Sequence, residues 1–170
     1  MVSAHGRERR YQLSSPAVAA AIETLARIAP PVEVRSLTTA QRGEALRAAR
    51  MCYDHLAGRL GVSVTQALVR RRALRLHGAS FDVSSTGEGL FLDLGVDVPA
   101  ARVRARRRAF ARACQDWSER RPHLAGALGA GLAAAFIDRG WLRQSSQGRA
   151  LHITDDGRTG LSTALGIDAA

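Results

Sequence analysis

"CYDHLAGRLG" (residues 52–61) is echoed by "HLAGALG" (residues 123–129), and each phrase has a Cys-x-Asp upstream, Cys52-Tyr53-Asp54 and Cys114-Gln115-Asp116. The echo continues downstream. "FDVSSTGEGLFLDLGVD" (81–97) and "LHITDDGRTGLSTALGID" (151–168) share a strand-like start, a turn, Gly87 with Gly157, Leu90 with Leu161, and a closing Gly-x-Asp. Two matches in one order make an internal repeat of roughly 70 residues, the signature of a duplicated folding unit. The 170 residues suffice for a single domain or for two small units, each of about 50–80 residues and each with its own core.

Composition narrows the class. Hydrophobic residues make up 46% and charged residues 24%, the balance of a globular chain, and the abundance of Ala and Leu with few aromatics predicts a mostly α protein. The net charge is +10 and every one of the 25 basic residues is Arg. Arginine forks match phosphate, and a positive surface gains free energy by releasing counterions from a polyanion. A polyanion, nucleic acid first among them, is the partner this charge favours over a merely solvated basic surface. Two cysteines and no secretory apolar run near Met1 predict a reducing, cytoplasmic setting rather than a disulfide framework. No stretch approaches the ~20 apolar residues of a membrane span. Phosphate-cradling, His-Glu-x-x-His and nucleophile-elbow patterns are missing from the sequence, so no enzyme is predicted.

Along the chain, "RYQL" (10–13) reads as a short strand leaving a hairpin. Ser15 then caps a helix that opens at Pro16, repeats Val18, Ile22, Leu25 and Ile28 at helical spacing, and stops at Pro30–Pro31. Its apolar stripe meets either a second copy of the chain or the domain behind it. A second helix is expected from about Gln41 to Gly58, with Cys52 on its buried stripe, and a short helix over "VSVTQALVRRRAL". Two strands follow around His77-Gly78-Ala79, with a helix starting behind Ser85 or Thr86. After Pro99 another helix runs through Ala100, Val103, Phe110, Cys114 and Trp117, carrying the arginines of "RVRARRRAFAR" either towards nucleic acid or towards solvent. Pro122 opens the next helix, and a hairpin with a Gln147-Gly148 turn and a closing helix complete the second unit. The predicted units are thus 1–31, 32–97 and 98–170.

"AAAFIDRGWLRQSSQGRALHITDDGRTGL" resembles the later part of a winged helix: a helix ending Arg-Gly-Trp-Leu, a basic hairpin, then strand-Thr-x-x-Gly into a helix. "HGRERRYQLSSPAVAAAIETLARIAP" resembles the second wing strand and the dimerisation helix of ArsR-type winged helix-turn-helix regulators, and the two "HLAG" phrases with the closing "GID" resemble the extension of a longer branch of that family. The resemblance implies tandem degenerate winged-helix-like repeats behind a lone dimerisation-type helix, a homodimer, and regulation of transcription through DNA. It implies wing contacts from Arg7, Arg9 and Arg10, and hairpin contacts from Arg143 and Arg149. Family members carry the recognition helix upstream of the wing, so the expectation for this sequence is the effector and oligomerisation region. The alternative is a metal- or ligand-sensing interaction module that does not bind DNA alone.

Such regulators often sense metals through thiolates, which turns attention to Cys52, His55, Cys114 and His123. One Cys and one His per repeat make a four-ligand set suited to Zn²⁺ or a related soft ion. The other reading takes both cysteines as small buried hydrophobes and both histidines as helix-end residues. Were both Cys-x-Asp segments helical, Cys and Asp would diverge by about 200°. Asp54 and Asp116 are therefore set aside as ligands and read as i,i+4 partners of Arg50, Arg112 and Arg120.

Overall fold

The structure, a computed structural model, describes residues 2–5, 8–11, 13–30, 34, 36–146 and 148–168. It opens on the hairpin β1 (Val2–His5) and β2 (Glu8–Tyr11), followed by α1 (Pro16–Ile28). The Ser15 hydroxyl accepts from the Val18 amide and Pro16 occupies the first turn, as the sequence predicts for this boundary. A helix α2 (Leu37–Ala48), capped by Ser36, comes next.

Here the structure corrects the sequence reading. The helix expected to reach Gly58 stops at Ala48, and residues 50–57 form a tight hairpin, β3 (Arg50–Cys52) and β4 (His55–Ala57). Tyr53 turns it with a φ of 63°. The second unit repeats the correction: α5 (Val98–Arg104) ends in one 3-10 turn, and Cys114 lies on β7 (Arg112–Gln115) instead of on a long arginine-faced helix. Pro122 opens no helix but begins the strand β8 (Pro122–Ala125), a position where its missing N–H costs the ladder little. The physical reason is the same in both cases. Strand β4 is buried at all three positions, and a short run buried on every side has no period by which helix and strand can be told apart. Roughly half of the described residues are helical, joined by short antiparallel strand pairs, so the class is mixed α/β rather than mostly α.

The remaining elements are α3 (Gly58–Arg70), β5 (Leu74–His77), β6 (Ser80–Val83) and α4 (Ser85–Asp93) in the first half, and α6 (Gly126–Asp138), β9 (Leu142–Gln144), β10 (Leu151–Ile153) and α7 (Asp155–Leu165) in the second. The His-Gly-Ala turn sits between β5 and β6 as expected, while α4 is capped one residue earlier than expected, by Ser84. Both halves therefore run hairpin, helix, hairpin, helix.

The halves interlock. Strand β7 of the second half pairs with β6 of the first, closing a four-stranded sheet in the order β5-β6-β7-β8. Strand β3 of the first half meets the second half's outer hairpin through an Arg50–Ala150 bridge, with Met51 N donating to Arg149 O and Leu151 N to Ala49 O. Helix α3 packs on β8 and α6 packs on β4. Leu68, Phe91, Leu128, Phe136 and Leu161 are fully buried in one shared core. Neither half buries its apolar face without the other.

Two glycines make the tight entry from hairpin to helix possible. Gly58 and Gly126 open α3 and α6 with φ of 76° and 84°, and a Cβ on Gly126 would lie 2.6 Å from the carbonyl oxygens of both Ala109 and Phe110. Left-handed strain and the clash add, so Gly126→Ala is expected to destabilise the protein by about 2–4 kcal/mol. Urea unfolding measures it, and a loss below ~1 kcal/mol would show the backbone relaxing freely there.

Candidate metal centre

Each short hairpin presents its Cys and His as directly opposed residues: Cys52 pairs with His55 across β3–β4, and Cys114 with His123 across β7–β8. Directly opposite residues of an antiparallel pair stand side by side on one face. The interlock then turns the two hairpins towards each other. One ligand atom from each of Cys52, His55, Cys114 and His123 lies within 4.8 Å of every other, and all four residues are buried. This is a buried Cys2His2 cluster able to hold a metal ion.

The histidines carry the sharper constraint. Their Nε2 atoms face each other at 3.2 Å, while each Nδ1 points at a carboxylate: His55 Nδ1 at Asp54 Oδ1, 3.2 Å, and His123 Nδ1 at Asp116 Oδ2, 3.2 Å. The second contact is off the line of a straight hydrogen bond, so it is mainly electrostatic. A proton on each Nδ1 leaves two Nε2 lone pairs opposed, and a single proton or cation must sit between them. Tetrahedral Zn²⁺ with nitrogen ligands at about 2.0–2.1 Å would set two nitrogens about 3.3 Å apart. The donor set fits the ion.

Asp54 and Asp116, set aside on helical geometry, return in a different role. On hairpins each lies behind a histidine of the cluster, an arrangement in which a carboxylate fixes the tautomer of the ring and raises its basicity. Asp54 is partly exposed and also bonds Arg108. Asp116 is wholly buried and takes far more: Oδ2 accepts from the Gly58 amide at 2.7 Å and from Arg50 at 3.0 Å, while Oδ1 accepts from the amides of Ser118 and Glu119 and the Ser118 hydroxyl. Arg50, expected to serve Asp54 as an i,i+4 partner, instead reaches across the repeats to Asp116.

Titration follows from these neighbours. Burial opposes ionisation of Asp116, but His123, the Gly58 amide, Ser118 and Arg50 outweigh it and hold the carboxyl well below the usual carboxylate range. Burial likewise opposes charge on His123, and Asp116 and Cys114 outweigh it, pushing its pKa up. The two thiols lie against each other, so their ionisations are coupled. The contact with Cys114, and burial, keep Cys52 the thiol; the contact from Cys52 and the two imidazoles favour Cys114 as thiolate against burial. A divalent ion would compete with protons for the thiols and for the His123 imidazole.

The expected DNA contacts are scattered by comparison. Arg7 lies outside the described residues, and Arg9 and Arg10 fall on β2. Arg143 is exposed on β9, while Arg149 bonds Glu23 of α1 at 2.8 Å. The sequence missed Glu23 as a buried charge, because only its i,i+4 spacing from Ala19 marks it as facing inward. Among the described residues no helix is long and apolar enough to cross a membrane.

No family model matches the sequence, and no solved structure matches the fold. A curated relative does, and by it the chain belongs to the HTH-type transcriptional regulators. That relative is YdfF of Bacillus subtilis (strain 168), described as an uncharacterized HTH-type transcriptional regulator, 40% identical over 166 residues that span 98% of this chain and 73% of the relative.

Proposed function

We propose that this protein is a metal-responsive transcription regulator of the ArsR type that acts on double-stranded DNA as a homodimer, and that Cys52, His55, Cys114 and His123 bind Zn²⁺ or a related soft ion as its effector. The observation that carries the metal reading is the pair of opposed Nε2 atoms, 3.2 Å apart, each backed by a carboxylate and joined by two thiols. Four protein ligands complete a tetrahedral shell and leave no open position for a substrate, which favours a sensing or structural ion over a hydrolytic one. DNA as partner is supported by the relative's description as an HTH-type transcriptional regulator and by the net charge of +10. Arg9, Arg10, Arg143 and Arg149 are the described arginines proposed for phosphate contacts, and Arg7 is proposed with them. The tandem units are proposed to be degenerate winged helices. The exposed stripe of α1, with Leu25 61% and Ile28 74% exposed, is the proposed dimer face.

Metal content of the purified protein, and Co²⁺ titration followed by its visible ligand-field bands, test the centre. One ion per chain is expected; no binding ends the reading. Asp54→Asn keeps all four ligands but weakens the support behind His55, so the affinity for Zn²⁺ is expected to fall about tenfold. An unchanged affinity would reduce Asp54 to a surface partner of Arg108. Mobility shifts on a randomised duplex pool, with and without Zn²⁺ and across ionic strength, test the DNA reading. Zn²⁺-dependent retention is expected, and no retention at low salt removes it.

A further inference from the structure

We propose that the metal centre clasps helix α1 to the body through the chain His123–Asp116–Arg50–Glu23, so that ion binding and α1 docking stabilise each other. This rests on the metal reading above.

Helix α1 touches the rest of the fold through a narrow face. Ala19 and Glu23 are buried, whereas Val18, Ile22, Leu25 and Ile28 are exposed. Both inward residues meet the centre or its support. Ala19 lines a small cavity of about 60 Å³ that also touches Cys52, His55 and Cys114, so α1 roofs the ligand cluster. Glu23 Oε2 lies 3.6 Å from Arg50 Nη2, the same nitrogen that bonds Asp116 Oδ2 at 3.0 Å.

Arg50 is the joint. Its side chain is wholly buried, stacks on Trp117 at 4.7 Å, and gives Nη1 to Leu46 O and Ser118 Oγ. Held on that side, it can serve Glu23 only while Asp116 keeps its Nη2 in place. A metal on His123 Nε2 fixes the ring and adds positive charge at Nδ1, 3.2 Å from Asp116 Oδ2, which tightens the electrostatic hold on that carboxylate. Occupancy therefore orders Arg50 and its seat for Glu23. Arg149 also bonds Glu23, at 2.8 Å, but comes from the outer hairpin and has no contact with Asp116 among those described. It holds α1 without reporting on the ion.

The test is amide hydrogen exchange over residues 17–28 of the full chain, with and without Zn²⁺, with Co²⁺ titration run in parallel on the same samples. In the wild type, Zn²⁺ is expected to slow exchange in α1 about tenfold. Glu23→Gln removes that effect and, because coupling is reciprocal, lowers Zn²⁺ affinity by the same factor of about ten. Arg149→Gln speeds α1 exchange overall yet keeps the Zn²⁺-dependent slowing. If Co²⁺ binds but α1 exchange ignores it, the clasp is wrong and the metal centre stands. Slowing that survives in Glu23→Gln, or vanishes in Arg149→Gln, also overturns it. If Co²⁺ does not bind, both readings fall together.

Discussion

The double variant Cys52→Ser/Cys114→Ser is expected to lose stoichiometric Zn²⁺ and Co²⁺ binding while still folding. Outer-shell changes already cost about 10–100-fold in affinity, and replacing two thiolates by neutral hydroxyls removes the anionic half of the ligand set itself. Serine is close to cysteine in size, and both sulfurs sit in a small satellite cluster with Ala57 and Ala125 rather than in the main core. Packing therefore survives better than binding. Stability supplies the second readout. An ion that binds only the folded chain stabilises it by about 4 kcal/mol at a thousandfold excess over its Kd, which for a chain of this size raises Tm by roughly 8–16 °C. The wild type is expected to show that rise on adding Zn²⁺ and the double variant to show none. A variant that retains one tightly bound ion per chain would falsify the Cys2His2 assignment.

Asp116→Asn is expected to be the most damaging single substitution outside the apolar core. The carboxylate is 0% exposed and pairs with an Arg50 that is also 0% exposed, so its removal leaves the buried guanidinium only the looser ion pair with Glu23 at 3.6 Å, at a cost of about 3 kcal/mol. A double-mutant cycle with Arg50→Met isolates the pair: once the cation is gone, loss of the anion costs less, and a coupling energy of about 1–3 kcal/mol is expected. A cycle that closes at zero would make the pair incidental. Acid provides an independent check. Because folding lowers the pKa of Asp116, its contribution is complete above the unfolded value of about 3.9 and is lost as pH falls below it. Wild-type stability should therefore decline on acidification below about pH 4, and Asp116→Asn should decline less steeply over the same range.

Much of the site was legible before any coordinates. Cys52 with His55 and Cys114 with His123 stand out because one unusual phrase occurs twice, and repetition picks out four ligand-bearing residues from a chain that holds only two Cys and five His. What the residues could not reveal is how the pairs converge. Read as helices, Cys52 and His55 share a face by i,i+3 spacing and Asp54 points away; as a two-residue hairpin, Cys52 and His55 stand opposite and Asp54 turns back onto the imidazole. The i,i+4 pairing of Arg50 with Asp54 fails for the same reason, since such a partner exists only on a helix, and Arg50 meets Asp116 instead.

By itself the sequence determined the duplication, the capped start and proline stop of α1, the positive charge, and the four Cys and His residues that form the candidate metal cluster. Each of these is local or compositional: a cap, a turn or a repeated phrase is written in adjacent residues. Tertiary structure alone decided that short apolar runs become strands, that the two halves exchange hairpins and helices, and that Asp116 joins a ligand to Arg50 and Glu23. Those outcomes depend on contacts between distant parts of the chain, such as Arg50–Asp116 and His55–His123, whose free energy comes from burying each half's apolar face against the other, and no local pattern encodes such a partner.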